Sequence, residues 1–224
     1  MPTLLLLLRW LLVALLAATL VALALRGTWR SLRILCAYTA LAGVALATHI
    51  RLEEWFGASW LSWNAALSGF RVLLAIEAVW LAIQAASVRD RWSIAGFAGA
   101  FAGAIGVASW VALPSEFYYR FAGFAAQLHA VLLLFVAAAV ALCWRYDVRI
   151  GWLAIRHCAI LGVLLGNHVW SNVAHPVTGR EWRLENAIYL AVAIGCYAAW
   201  LWLAVSRSGS DGAPGDTDRL PTAE

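Results

Sequence analysis

The sequence predicts an all-α fold: a polytopic membrane bundle of seven transmembrane helices, with its N-terminus outside and its C-terminus in the cytoplasm. Three observations predict it. Of the 224 residues, 64% are apolar and only 12% are charged, about half the charged share of a soluble globular domain. The apolar residues gather into seven stretches, each near the roughly 20 residues that cross a hydrocarbon core as a helix. The basic residues are divided unevenly between alternate connections, and that asymmetry sets orientation.

The first stretch spans about 3–25. Ala22-Leu23-Ala24 resembles a signal-peptidase site. However, no basic residue precedes Arg9, and the run is longer than a signal-peptide core of roughly 7–15 residues, so the stretch reads as a retained span. The second stretch, about 34–50, follows Arg26, Arg30 and Arg33. The third, about 70–86, follows a longer connection, 51–69. There Phe56, Trp60 and Trp63 share one helical face, a spacing that suits a short helix lying flat among headgroups.

The fourth stretch, about 93–113, places Gly99 and Gly103 four apart, beside a row of Gly96, Ala100, Ala104 and Ala108. Small-residue rows let helix backbones approach closely, either within the bundle or against a second copy through the Gly99/Gly103 face. The fifth stretch covers about 122–144 and the sixth about 151–174. The sixth repeats the spacing at Gly162 and Gly166, and Pro176 is expected to end it because proline lacks a helical N–H. The seventh covers about 187–205. Residues 206–224 are rich in Gly, Ser, Asp and Pro, a composition that does not bury a core. The expected organisation is a seven-helix domain over 1–205 and a disordered cytoplasmic tail over 206–224.

Orientation follows from arginine. The first, third and fifth connections and the tail hold Arg26, Arg30, Arg33, Arg89, Arg91, Arg145, Arg149, Arg207 and Arg219, with Arg156 within reach. The opposite side holds Arg9, Arg51, Arg71, Arg120, Arg180 and Arg183. Ten against six places the first group in the cytoplasm. Tryptophans fall near both expected boundaries, as amphipathic rings do.

Composition excludes several functions. All sixteen basic residues are Arg and none is Lys, so no lysine amine exists to hold retinal as a Schiff base. The net charge of +4 is scattered, without the basic stripe of a nucleic-acid binder. Cys36, Cys143, Cys158 and Cys196 lie in or beside apolar stretches with no CxxC spacing and read as buried free thiols. The single Met argues against a methionine-rich copper site. The Arg-, Ala-, Gly- and Trp-rich composition fits a GC-rich bacterial genome and hence a multi-pass protein of the inner membrane.

Ionisable groups inside a bilayer are costly, so they mark the candidate site. Counted from the outer helix ends, Glu77, His129 (with Gln127) and His168 (with Asn167) lie at matching depth, roughly 10 Å below the outer surface at 1.5 Å per residue. His49 lies higher, four residues before Glu53, and His175 higher still. His168, Asn172 and His175 fall on one helical stripe. These positions allow an outward cleft lined by Glu77, His129, His168 and His49.

Three readings stand: polar groups that fix the bundle, a small-molecule or lipid-headgroup pocket, and a metal or haem site on His129 and His168 with Glu77. No HExxH, GxSxG or Cys-His signature accompanies them. The preferred function is therefore a non-enzymatic sensory or accessory component with no cofactor. Its partners are the lipid bilayer and either another membrane protein or a second copy. The alternative is a metal- or haem-dependent intramembrane enzyme.

The WRSLRILCAY segment leading into the second stretch, Glu77 in the third, and RYDVRIGWLAIRHCAILG joining the fifth and sixth resemble small seven-helix bacterial inner-membrane proteins. The chain also resembles the membrane parts of seven-helix bacterial sensors, without their attached kinase, cyclase or extracellular domain. The resemblance implies the fold.

Overall fold

A computed structural model of the chain describes residues 2–51, 56–110, 117–178 and 183–206. Among them are seven α-helices: α1 (Pro2–Leu25), α2 (Arg33–Arg51), α3 (Phe56–Ile83), α4 (Val88–Trp110), α5 (Phe117–Arg145), α6 (Trp152–Thr178) and α7 (Arg183–Ser206). Each contains 18 to 23 residues long and apolar enough to cross a membrane. By helix length and composition the chain is a multi-pass membrane protein. The start of α1 marks the N-terminal side of the bundle and the end of α7 its C-terminal side.

Local chemistry sets the turns. Gly27 follows α1 with φ +67°, a left-handed conformation in which a Cβ would crowd the next carbonyl. A 3-10 turn over Thr28–Arg30 then leads into α2. Ser87 caps α4: its Oγ accepts from the Asp90 backbone N–H at 3.2 Å and donates to Asp90 Oδ2 at 2.6 Å, a reciprocal arrangement of the capping-box kind. Arg91 reaches back from α4 to the carbonyls of Gln84 and Ala86 and covers Trp80, which closes the end of α3. After α5, Asp147 takes φ +53°. Val148 N–H returns to Cys143 O at 2.8 Å and Asp147 N–H to Trp144 O at 3.2 Å, the bond pair of a Schellman ending.

Helix α3 is the hub, packed against α2, α5 and α6. The pairs α1–α2, α1–α7, α6–α7 and α5–α6 complete the bundle. Helix α4 stands at the edge, chiefly against α5. Leu35, Leu74, Ile94, Leu161 and Leu165 are fully buried. Leu7, Phe97, Val107 and Val163 face outward, as lipid-facing side chains do. Gly162 lets α6 meet α5, where an added Cβ would touch Leu133 Cδ1 at 3.5 Å. Gly99 and Gly103 have nothing within 4 Å of an added Cβ, so this row does not pack inside the bundle. Cys143, Cys158 and Cys196 are buried free thiols as expected, and Cys36 is half-buried. Cys143 and Cys158 sit against the Ala82 and Ala78 carbonyls of α3.

Three expectations are corrected. The third span begins at Ser62, not near 70, within a helix that starts at Phe56. Residues expected to lie flat in the headgroup layer therefore extend α3. Arg71 is not at a membrane boundary: it lies inside the span and is only 4% exposed. Helix α6 passes through Pro176 and ends at Thr178. Glu53 and the expected tail from residue 207 lie outside the described residues, as does the His175 side chain.

Candidate functional site

Two polar clusters occupy the bundle, one on each side of its middle. The first is built on Arg71. Counting nine residues from Ser62 puts it roughly 14 Å into the third span, where it is buried. It donates through Nε to Tyr38 Oη at 3.3 Å and through Nη1 to His129 Nε2 at 3.2 Å. A guanidinium has no acceptor, so His129 accepts at Nε2 and carries its proton on Nδ1. That Nδ1 is buried with no partner among the described residues. The His129 ring lies 4.9 Å from the His168 ring, tilted by 30°. His168 Nδ1 is 3.3 Å from Tyr189 Oη.

Among the described residues the hydrogen-bond partners of Arg71 are Tyr38 and His129. No carboxylate lies within ion-pair distance of it among the described residues. An unpaired arginine at a bilayer centre costs about 2.5–3.5 kcal/mol even by insertion scales. Beside it opens a cavity of about 190 Å³. Arg71, Tyr38, His168, Tyr189 and Tyr197 border its polar part; Leu12, Leu16, Leu46, Leu67 and Leu190 border its apolar part. Thr48, His49, Trp63 and Asn64 border it toward the N-terminal side.

The second cluster is built on Glu77, six residues before the end of α3. Its Oε1 accepts from Ile34 N–H at 2.8 Å and its Oε2 from Leu35 N–H at 3.1 Å. These are first-turn donors of α2, which have no intrahelical acceptor, so the carboxylate caps α2 from another helix and meets its positive dipole end. Trp200 Nε1 donates to His157 Nδ1 at 3.1 Å, which puts the His157 proton on Nε2. That nitrogen faces Glu77 Oε2 at 4.0 Å. Nearby, Arg156 is covered by the Trp202 ring at 4.5 Å. A larger space of about 980 Å³ borders Arg30, Arg33, Glu77, Gln84 and Trp152 on the C-terminal side.

The two clusters approach each other through aromatic side chains. Tyr38 accepts from Arg71, and Tyr38 and Tyr197 border the same cavity. The Tyr197 ring meets Trp200 edge-on at 5.4 Å, and Trp200 holds His157.

The structure brings together His129, His168 and, at the cavity, His49. It does not bring Glu77 to them, because Glu77 belongs to the opposite half of the bundle. Asn167 ties α6 to α7, its Nδ2 donating to Tyr189 O at 3.0 Å. Gln127 is half-buried and does not border the cavity. Asn172 Nδ2 donates to the His168 carbonyl at 2.7 Å.

Two residues of these clusters, Arg71 and His157, are not among the candidates that the sequence singles out. The sequence expectation places Arg71 at the outer end of the third span; the apolar run that follows it and the mixed run from Trp60 are the available signal that the helix starts earlier. His157 was passed over, although it stands only five residues into the sixth span.

The alternative metal trio of His129, His168 and Glu77 does not converge. Among the described residues no group of three or more His, Cys, Asp or Glu is placed to hold a metal ion. Axial haem ligands aim one nitrogen each at the iron from opposite faces. Here the two rings lie side by side at a shallow tilt, and the His129 Nε2 that would bind iron is held by a cation.

Fold and site define a class: an α-helical multi-pass membrane protein with a cation buried beside an internal cavity. Comparison with protein-family models, with curated proteins and with solved structures finds no match to this chain.

Proposed function

We propose that this chain is a non-enzymatic sensory or accessory protein of a bacterial inner membrane, and that it binds a small ligand in the cavity beside Arg71. The observation that carries this reading is a buried cation with uncharged partners bordering a cavity of about 190 Å³. Convergent polar groups in a largely apolar hollow are the usual form of a ligand site. Tyr197 borders the cavity and packs on Trp200, which holds His157 beside Glu77, so packed side chains lead from an occupied cavity to the other end of the bundle, as a sensor requires.

Orientation is part of the proposal. With Arg71 removed from the loop tally, the bias becomes ten against five, which strengthens the placement of the C-terminal side in the cytoplasm. The cavity then opens toward the outside.

The test is a small-molecule screen by thermal unfolding of the purified full-length protein. Ala193 also borders the cavity; hits are expected to raise the midpoint, and to lose that effect in Ala193→Leu, whose longer side chain takes up cavity space. Stabilising ligands that act equally on the filled variant would overturn the reading.

A further inference from the structure

We infer that the ligand is a monoanionic amphiphile, a small carboxylate carrying an apolar body, with its carboxylate on Arg71. This inference rests on the cavity being a ligand site and names what it takes.

The charge comes first. Arg71 is buried, and its two bonds go to a hydroxyl and to an imidazole acceptor. Neither offsets its charge. A guanidinium carries five N–H donors, so three are unused by these two bonds. Their fork geometry matches a carboxylate held by two parallel hydrogen bonds.

The count of charges selects the anion. One cation faces the cavity from α3. A carboxylate neutralises it; a dianionic phosphate would leave a net negative charge in a low-dielectric interior, which is costly. His168 and Tyr189 also border the cavity, and their N–H or O–H groups can support an oxygen that Arg71 does not reach.

The walls select the body. Leu12, Leu16, Leu46, Leu67 and Leu190 offer no hydrogen bonds. A bare inorganic anion would leave this apolar surface unfilled. A dry cavity of roughly 150 Å³ is known to hold benzene; at about 190 Å³ this one suits a single ring or a chain of about six carbons.

The experiment compares acids with their uncharged isosteres on the full-length protein in a neutral detergent. Benzoate and hexanoate are titrated against benzamide and hexanamide by calorimetry, with inorganic phosphate as a third probe. The acids are expected to bind at least tenfold more tightly than the amides, and phosphate neither to bind nor to compete. Arg71→Gln is expected to bring the acids down to the affinity of the amides. The comparison within the unaltered protein stands even where that variant does not fold. Amides that bind as well as acids would overturn the carboxylate assignment while leaving the cavity a ligand site. Phosphate that competes as well as benzoate would overturn the apolar body. Absence of binding by every probe in this series, together with a screen empty of stabilising ligands, would remove both readings.

Discussion

At the scale of single residues, burial converts ordinary side chains into structural commitments. Glu77 accepts two amides that α2 cannot satisfy itself. Glu77→Ala leaves both unpaired near the bundle interior, a loss of about 1–3 kcal/mol for such buried donors. A lowered midpoint in thermal unfolding, with a smaller drop for Glu77→Gln, checks this, since the amide keeps one acceptor oxygen. Trp200→Phe keeps the ring but removes the donor to His157 Nδ1; a loss of about 1 kcal/mol is expected in the same assay. Gly27→Ala forces a Cβ into φ +67° and is expected to cost about 1–2 kcal/mol, although nothing lies within 4 Å of the site. Residue roles were partly legible. His129 and His168 were recognised at matching depth, and the structure puts their rings side by side. Hydropathy alone did not reveal Arg71, because one charge reads the same whether it ends a span or sits within it.

At the scale of elements, the seven helices were legible because lipid demands continuous apolar length, a property visible in one dimension. Boundaries were less so. The third span starts at Ser62 and not near 70, and that shift moves Glu77 from the outer half of the span to the opposite half. Neighbour order was not legible at all, since apolar helices look alike from every side. It is the packing of α3 against α2, α5 and α6 that decides which polar groups meet. The glycine rows divide on the same ground. Gly162→Leu is expected to lower the unfolding midpoint, because the position faces Leu133 across a close helix contact. Gly99→Ala and Gly103→Ala meet open space and are expected to leave the midpoint of the isolated chain unchanged. Helix α4, held mainly by α5, is expected to exchange its amide hydrogens sooner than α3, which hydrogen-exchange mass spectrometry reads directly.

At the scale of the whole molecule, the proposed seven crossings would set residues 2 and 206 in different compartments, and reporter fusions after those residues are expected to give opposite signals. The bond from Glu77 to the start of α2 spans 42 and 43 positions of chain, and this has a consequence for how the protein is made. A ribosome delivers α2 well before it delivers the carboxylate that completes it. Until the third segment emerges, the amides at the head of the second have only water or headgroups as acceptors. The carboxylate replaces them once the two segments pack, so the start of one helix is completed by a residue that the chain supplies later.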